Sequence, residues 1–451
     1  MKVSKFGGTS LADADRIRKV CEIVASDSDR RIIVVSAPGK RHKGDIKVTD
    51  LLIACGRAFL ERGDAKAELD AVVDRFREIQ RDLGLSETIV SEIAEDLGQR
   101  LTGDASDPGR FLDALKAGGE DNCARLMAEA LCARGLNAHR VSPKDAGMIL
   151  SDEYGNACAL PESYKRLAKL RNAPGVSVFP GFFGHTKDGA IATFPRGGSD
   201  ITGAIISAAV KADLYENFTD VDSVFAADPR IVQNPQPISE LTYHEMRELS
   251  YSGFDVFHDE AVLPAVHARV PISIKSTIRP EAPGTMILPQ RQYTPGEAVG
   301  IAGTDGFCTI FLEKYLMNRM VGFVRRLLQA LEEENLAFEH APSGIDNVSV
   351  ILREEAFTPQ VEQRVLARLS AELNPDDVRV ERGLALVMIV GEGMRHAIGV
   401  ANRAAKALAD AGVNIEMINQ GASEISMMFG VKSEDCPKAV RALYGAFFGQ
   451  G

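Results

Sequence analysis

Short apolar runs alternate with longer segments of helical periodicity from residue 1 to about residue 290. The runs have the length and composition of strands and fall at residues 31–36, 175–179, 190–193, 214–216 and 272–275. Residues 61–101 combine alternating charge with apolar positions at helical spacing, which is typical of a solvated helical pair. The alternation predicts an α/β domain with a largely parallel sheet covered by helices. Small polar residues follow several strand ends, where such sheets form their ligand crevice.

The pattern changes after a segment rich in proline and glycine at residues 278–296, which predicts an exit loop and linker. Strands are predicted at 307–312, 337–340 and 348–352, with helices at 322–333 and 359–373. A similar order returns at 384–390, 396–411, 413–418, 425–431 and 436–447. The two copies are a degenerate repeat of roughly 70 residues, each resembling a βαββαβ unit. We therefore predict an α/β domain over 1–290, a linker over 291–306, and two ferredoxin-like domains over 307–376 and 377–451.

Composition narrows the class of protein and its partners. The chain has 451 residues, 45% of them hydrophobic and 25% charged, which is ordinary for a globular protein of two or three domains. A formal net charge of −11 argues against nucleic acid or an anionic membrane as a partner. The chain begins with a strand pattern, with no signal segment and no apolar run of roughly 20 residues, so we expect a cytoplasmic protein. Its scattered cysteines predict neither a disulfide framework nor a zinc site.

The N-terminal run K-F-G-G-T-S at residues 5–10 suits a phosphate group. Gly7 and Gly8 can adopt backbone angles closed to other residues and let amide groups approach an anion. Thr9 or Ser10 is expected to cap the following helix, whose N-terminus attracts phosphate. The run matches neither the P-loop nor the dinucleotide-binding signature, and a plain strand-to-helix turn is the alternative interpretation.

Four motifs occur in order along the chain: K-F-G-G-T-S at 5–10, T-F-P-R-G-G-S-D at 193–200, T-D-V-D-S-V-F-A-A-D-P-R at 219–230 and V-N-I-E-M-I-N-Q-G-A-S-E-I-S at 413–426. Over nearly the whole chain they resemble aspartate kinase, a member of the amino-acid-kinase family with a C-terminal pair of ACT domains. The resemblance implies a three-layer sandwich with a mostly parallel central sheet. It also implies ATP-dependent phosphorylation of L-aspartate to 4-phospho-L-aspartate, the entry step to lysine, threonine and methionine synthesis.

An amino-acid substrate needs partners for both its α-carboxylate and its α-amino group once water is removed. A bidentate guanidinium suits the carboxylate, and by resemblance Arg196 holds it. Glu120 occupies the place of the family's glutamate for the ammonium group, with Asp121 as the fallback because the local run departs from the family pattern. Asp200 is the second anion, placed by the ammonium or by the metal-bound phosphates. Thr49 resembles a substrate-contacting threonine, and a plain N-cap is its alternative role.

Phosphoryl transfer requires positioning and neutralisation of charge more than covalent chemistry. By resemblance Lys5 supplies that charge between the attacking carboxylate and the γ-phosphate, while Gly7, Gly8 and Ser36 present phosphate-binding donors. Mg²⁺ is expected to bind phosphate oxygens and water more than a protein cage, so no protein metal ligands are assigned. The resemblance assigns nucleotide contacts to Thr219, Asp220, Phe225 and Arg230.

One nucleotide contact of the family is missing from this chain. Many members carry a lysine in a G-A-K-V-L-H-P segment, and the matching run here, at 253–259, has Asp255 in its place. This form resembles a branch of lysine-sensitive enzymes, and Lys275 is a candidate replacement charge.

The ACT resemblance implies an amino-acid effector bound where two units meet in a homodimer or homotetramer. The backbone around Gly322, at a strand-to-helix turn, would accept the effector's carboxylate. Acidic residues would pair with its ammonium groups, which favours lysine, with threonine as a second candidate. The assigned residues are Met320, Gly322, Phe323, Val324, Glu339 and Asp346; solvated surface carboxylates remain the alternative for the last two.

Two other functions compete with aspartate phosphorylation. Another kinase of the family, such as glutamate 5-kinase, shares the fold, but Arg196 with Glu120 favours a free α-amino acid and the ACT repeat disfavours most such enzymes. The other alternative is an amino-acid-sensing protein whose kinase domain is inactive. The presence of Lys5, Arg196 and Asp200 argues against it.

Overall fold

The computed structural model describes residues 1–254 and 259–449. Backbone contacts divide the chain into two compact units. The first consists of Met1–Val224, Pro237–Tyr243 and Val256–Arg291, and the second of Phe225–Gln236, His244–Asp255 and Gln292–Gly451. No helix in the described ranges is long and apolar enough to span a bilayer.

The strands and helices follow in chain order. The strands are β1 (Lys2–Phe6), β2 (Arg30–Val35), β3 (Ala138–Arg140), β4 (Val176–Pro180), β5 (Phe183–His185), β6 (Ile191–Thr193), β7 (Leu214–Thr219), β8 (Glu240–Thr242), β9 (Ile272–Ser276), β10 (Thr285–Leu288), β11 (Gly300–Glu313), β12 (Asn347–Arg353), β13 (Asp377–Val390), β14 (Met417–Asn419) and β15 (Ser426–Lys432). The helices are α1 (Ala14–Ala25), α2 (Val48–Arg62), α3 (Lys66–Leu83), α4 (Thr88–Leu101), α5 (Pro108–Cys132), α6 (Pro143–Ala146), α7 (Pro161–Leu167), α8 (Gly198–Val210), α9 (Tyr243–Tyr251), α10 (Leu263–His267), α11 (Phe323–Glu332), α12 (Pro359–Leu373), α13 (Val400–Asp410) and α14 (Cys436–Phe448).

The first unit is built on an eight-stranded sheet in the order β3-β4-β2-β1-β7-β9-β10-β8. All its pairs are parallel except β9 with β10. The predicted mostly parallel sheet is therefore confirmed. Central strands such as Ile32–Val35 are buried on both faces, as expected where helices cover both sides. Strand β1 lies between β2 and β7, so the loops after these three strands meet at one edge.

Helices α1 to α5 share one hydrophobic core with β1 and β2. The predicted helical pair at 61–101 is found as α3 and α4. Phe76, Ile79, Ile93 and Leu97 face this core, while most charged residues of the two helices are exposed. Periodicity alone located these helices because each buries one face and solvates the other.

The second unit contains a five-stranded antiparallel sheet in the order β12-β11-β13-β15-β14. Strands β11 and β13 each have 14 residues and pair along most of their length, so the two predicted repeats share one sheet. The register shifts between Thr304 and Phe307, next to Gly306 at φ +84°. This bulge lets one strand continue from one repeat into the other.

The element bounds differ from expectation in several places, among them β13, which begins at Asp377 and not at the predicted residue 384. Strand β11 begins at Gly300, inside the segment predicted as linker. The strand predicted at 337–340 is reduced to a single bridge from His340 to Ile351, and that predicted at 413–418 is the short β14. The apolar pattern predicted both strands too long. The length of a strand is decided by its pairing with other strands, which are distant in the sequence. The domain boundaries 1–290, 291–306, 307–376 and 377–451 stay predictions.

Candidate active site

The loops after β1 and β2 touch through glycines. A Cβ on Gly8 would lie 2.8 Å from the Ala37 carbonyl oxygen, and one on Gly39 would lie 2.5 Å from the Gly8 carbonyl carbon. The Gly39 amide donates to the Gly8 carbonyl at 2.8 Å. Neither Gly7 nor Gly8 has a positive φ. The expectation of special backbone angles was wrong, because close approach of two chains is what requires glycine here.

The residues after these glycines do not cap the helix as expected. A short 3₁₀ turn, Gly8–Leu11, follows β1, and Asp13 caps α1 by accepting the Arg16 amide at 2.9 Å. The Ser10 hydroxyl is buried and lies 2.7 Å from the Thr277 hydroxyl. The prediction of a cap at Thr9 or Ser10 was wrong, since Ser10 joins this loop to the end of β9 instead.

Lys5 and Asp200 meet at the carboxyl edge of the sheet. Lys5 Nζ lies 2.8 Å from Asp200 Oδ1, with the lysine side chain 9% exposed. The Asn217 side chain completes the group: its Nδ2 donates to Asp200 Oδ1 at 2.7 Å and its Oδ1 accepts from Lys5 Nζ at 3.5 Å. Asn217 was missed by sequence reasoning. It pairs with Lys5 in the β1–β7 register, so its only signal was its position before Thr219 at the end of β7.

Asp200 reaches this position because the R-G-G-S-D motif forms the start of α8. Gly197 adopts φ +82° at the N-cap, a conformation that favours glycine. A Cβ on Gly198 would lie 2.6 Å from Phe182 Cδ2, so the second glycine allows close packing. Arg196 precedes them on the exposed turn and has no hydrogen bond or ion pair within residues 1–254 and 259–449. Its guanidinium is therefore available to an anion.

Glu120 is buried in α5, and one of its carboxyl oxygens can still accept a hydrogen bond. Its residue is 5% exposed, and Oε2 has no hydrogen-bond partner among the described residues. Burial raises the pKa of this carboxyl to about 8, while a hydrogen bond with the backbone of Ala37 acts in the opposite direction. Gly119 permits this contact, because a Cβ there would lie 2.9 Å from Ala37 Cβ. A buried unpartnered carboxyl oxygen suits an incoming ammonium group.

Asp121, the fallback for Glu120, is already paired. Its Oδ2 lies 2.7 Å from Arg100 Nη2, and its Oδ1 accepts from Arg140 Nε at 2.7 Å. Because two guanidinium groups already bind this carboxylate, it has little hydrogen-bonding capacity left for a ligand. The structure therefore favours Glu120.

Ser36 follows β2 and Thr49 lies in the first turn of α2, and their roles differ in part from those expected. The Ser36 amide donates to the Phe6 carbonyl at 3.2 Å, and the Gly7 amide donates to the Phe218 carbonyl at 3.2 Å. Both amides are thus committed to the backbone, which leaves the Ser36 hydroxyl as its phosphate donor. Thr49 is the second residue of α2 and half-buried; Lys47 occupies the N-cap. The plain N-cap role for Thr49 was wrong.

Comparisons with known proteins identify the family of this chain. A family model described as "Amino acid kinase family" matches residues 1–276, and one described as "ACT domain" matches residues 387–447. The chain is 54% identical to Aspartokinase 3 of Bacillus subtilis over 448 residues, covering 99% of both. It belongs to the aspartokinases of the amino acid kinase family.

Solved structures extend this similarity to the fold. The crystal structure of Clostridium acetobutylicum aspartate kinase matches with a TM-score of 0.90 at 38% identity, covering 99% of this chain and 100% of that one. Aspartokinase III of Escherichia coli, solved in complex with aspartate and ADP, matches with a TM-score of 0.76 at 28% identity, covering 99% and 100%. The same enzyme in complex with lysine and aspartate matches with a TM-score of 0.74 at 28% identity, covering 99% of each chain.

The nucleotide residues predicted for this aspartokinase fall into both units. Thr219 and Asp220 end β7 in the first unit, where the Thr219 hydroxyl donates to Asp220 Oδ1 at 3.2 Å. Asp220 borders a cavity of about 820 Å³ whose wall includes Thr9, Ser10 and Thr277. The lining residues do not include Lys5, Glu120 or Arg196, so this cavity adjoins the catalytic group without containing it.

Phe225 and Arg230 belong to the second unit and stay predictions. Arg230 is held by Asp228, with Nη2 2.7 Å from Oδ2. The segment at Asp255, where the family lysine is missing, lies outside the described residues. Lys275 pairs with Phe218 in the β7–β9 register, two strands from β1.

The predicted effector residues lie in the second unit. Gly322 has φ +78° and caps α11, and Val321 before it is 98% exposed. Phe323 is buried in a core with Leu327, so only its backbone is available to a ligand. Met320 and Val324 are half-buried beside this turn.

The two predicted acidic effector residues differ in their partners. Glu339 is already bonded, to Arg353 Nε at 2.9 Å and to the Tyr251 hydroxyl. Asp346 Oδ1 accepts the Leu316 amide at 2.8 Å. Its Oδ2 has no hydrogen bond to any other described residue.

Proposed function

We propose that this aspartokinase transfers the γ-phosphoryl group of ATP to the β-carboxylate of L-aspartate and so forms 4-phospho-L-aspartate. The observation that carries this proposal is the Lys5–Asp200 contact of 2.8 Å, which joins the glycine loop after β1 to the R-G-G-S-D start of α8. The E. coli relative solved with aspartate and ADP supports the substrate pair. The product belongs to the biosynthesis of lysine, threonine and methionine.

The amino-acid pocket assigns each substrate charge to one side chain. Arg196, which has no hydrogen bond or ion pair to another described residue, binds the α-carboxylate in a bidentate manner. Glu120 accepts the α-ammonium on its unpartnered oxygen. Thr49, half-buried near the start of α2, adds a polar contact. These partners leave the β-carboxylate free to face Lys5.

Transfer requires no general base, because the β-carboxylate is already a nucleophile. Lys5 neutralises charge on the phosphoryl oxygens as the group moves, and Asp200 with Asn217 fixes its ammonium position. The close contact of Gly8 with Gly39 forms a backbone cradle without side chains, which suits the phosphate chain.

Mg²⁺ is proposed to enter this site bound to the nucleotide. The described residues contain no cluster of three or more His, Cys, Asp or Glu side chains able to hold a metal. A donor set of phosphate oxygens and water is the arrangement that Mg²⁺ prefers with nucleotides, and it neutralises phosphate charge.

Regulation is proposed to act through the second unit, with lysine as effector and threonine as a second candidate. The E. coli relative solved with lysine supports this choice. The backbone at Gly322 would hold the effector's carboxylate and Asp346 an ammonium group. We further propose a homodimer or homotetramer assembled through the ACT region, acting in the cytoplasm.

A hydroxamate assay tests the function directly, because hydroxylamine traps an acyl phosphate. With ATP and Mg²⁺, L-aspartate should give product and L-glutamate should give little. Product from glutamate instead would identify a glutamate kinase, and no product from either would indicate an inactive sensor. Chelation of Mg²⁺ should abolish the signal, and repeated assays with lysine or threonine identify the effector.

A further inference from the structure

A buried carboxylate lies on α5 two turns before Glu120. The Asp113 side chain is 2% exposed, and its Oδ1 lies 2.7 Å from Lys116 Nζ. Its Oδ2 accepts the amides of Gly155 at 2.8 Å and Thr193 at 2.7 Å. Two amide donors and one ammonium offset the cost of burying this charge. Asp113 therefore fixes Lys116 against two other segments.

The Lys116 side chain is 16% exposed and makes contacts with more than its ion-pair partner. Its Nζ donates to the Thr193 hydroxyl at 3.3 Å and lies 5.8 Å from the centre of the Phe182 ring. The ammonium group thus joins α5 to the end of β6 and to the turn after β4. A lysine that served only solubility would extend into water instead.

The segments joined by Lys116 carry the amino-acid pocket. Glu120 follows it by four residues on the same helix, so the two side chains share one face. Arg196 follows Thr193 by three residues and is positioned by the end of β6. Lys116 therefore contacts the supports of both the proposed ammonium partner and the proposed carboxylate partner.

Phe182 extends this link to the start of α8. It has φ +75°, its amide donates to the Thr202 hydroxyl at 3.0 Å, and its ring leaves no space for a Cβ on Gly198. We propose that Lys116 is a positioning residue of the amino-acid pocket: it fixes the separation of Glu120 and Arg196. This inference rests on the proposed phosphorylation of aspartate.

Lys116 also affects the pKa of Glu120 through its charge. Burial raises the pKa of Glu120 to about 8. Hydrogen bonds with the backbone of Ala37 and of Glu120 itself lower this pKa, the charge of Lys116 lowers it to a smaller extent, and the charge of Asp121 raises it. Burial and Glu120 itself raise the pKa of the Cys123 thiol, which stays neutral. Loss of Lys116 would raise the Glu120 pKa further, so less carboxylate would be ionised at pH 7 to receive an ammonium group.

The test is a pair of substitutions in the full-length enzyme. Lys116→Met should raise the aspartate KM several-fold at pH 7, because the two carriers of the pocket lose their common support. It should also move the pH at which KM levels off upward, because the charge of Lys116 lowers the pKa of Glu120. The kcat and the KM for ATP should change much less. Lys116→Arg keeps the charge and should recover most of the aspartate affinity. Lys66→Met removes an 81% exposed lysine and is the matched control.

Thermal unfolding and calorimetric titration with aspartate separate positioning from folding. An unchanged pH profile and aspartate Kd in Lys116→Met would overturn the inference. The inference would also be overturned if the variant lost affinity for aspartate and ATP equally and its melting temperature fell in parallel. The wild-type chain runs in the same titrations. If it neither binds nor phosphorylates aspartate, the proposed function fails and this inference falls with it, whereas a normal wild type with an unshifted variant rejects the inference alone.

Discussion

Glu120 in the first unit and Glu339 in the second were assigned the same task, to receive an ammonium group, yet their surroundings differ. Glu120 is buried with one oxygen unpartnered among the described residues. Glu339 bonds to Arg353 and to the Tyr251 hydroxyl. An acidic residue in the right motif predicts a ligand contact only if hydrogen-bonding capacity remains after folding. By that criterion Glu120 is available and Glu339 is a link within its own unit.

The neighbours of Glu339 support this structural role. The ring of His340 meets that of Tyr251 edge-on at 6.1 Å, and its Nδ1 lies 3.1 Å from Asn419 Nδ2. The cluster joins the end of α9, the segment before β12 and strand β14. Asp346, with one oxygen to spare, is the better candidate for an effector.

The largest effect is expected at Lys5. Lys5→Ala removes the charge that neutralises the moving phosphoryl group, so turnover should fall about a thousandfold, the loss typical of one electrostatic group. Aspartate binding, measured by calorimetry, should weaken far less. Lys2→Ala is the control, because Lys2 lies on the same strand but pairs with Asp27 at 2.6 Å. Unchanged turnover would exclude Lys5 from the mechanism.

Glu120→Gln should raise the aspartate KM about a hundredfold, because a neutral amide replaces a charge-assisted hydrogen bond. The wild-type KM should fall as pH rises towards about 8, since the raised pKa leaves Glu120 protonated below that value. The variant should lose this pH dependence. Glu339→Gln is the matched substitution in the other unit and should leave the aspartate KM unchanged. Equal effects of the two substitutions would contradict the comparison.

Arg196→Lys should raise the aspartate KM about tenfold, because a point charge cannot reproduce two parallel hydrogen bonds to a carboxylate. Saturation curves for both substrates provide the check. A shift in the ATP curve with an unchanged aspartate curve would mean that Arg196 binds the nucleotide.

Sequence reasoning succeeded where the signal is local. Apolar runs located β2 within one residue at each end, as Arg30–Val35 for a predicted 31–36. The motifs selected Lys5 and Asp200, which the fold brings to 2.8 Å although 195 positions separate them in the sequence. Residue type and motif order were sufficient to select this pair, and its role in catalysis stays a prediction.

Sequence patterns failed to predict contacts that form only once the strands of the sheet have paired. Asn217 meets Lys5 only because β7 lies beside β1 in parallel register. Gly39 is required by its distance from Gly8, and the pairing of Asp121 with Arg100 and Arg140 removes an alternative that the local run left open. None of these follows from periodicity, since each depends on neighbours distant in the chain.

The smallest effect is expected at the effector site in the second unit. Asp346→Ala removes the carboxylate oxygen available to an ammonium group, so the lysine concentration for half inhibition should rise about tenfold, the cost of one charged hydrogen bond. Gly322→Leu should act in the same direction, because φ +78° strains any side chain by about 1–2 kcal/mol and displaces the start of α11. Inhibition is measured at fixed aspartate and ATP.

Glu339→Gln distinguishes a ligand from a structural link. If Glu339 only joins Arg353 and Tyr251, the glutamine variant should keep wild-type sensitivity to lysine, because the amide oxygen can still accept a hydrogen bond. An effector can shift an enzyme only by its differential affinity for two states, so a lost contact must appear as weaker inhibition. Relief of inhibition in Glu339→Gln with none in Asp346→Ala would reverse the assignment and show that a carboxylate with satisfied bonds can exchange them for a ligand.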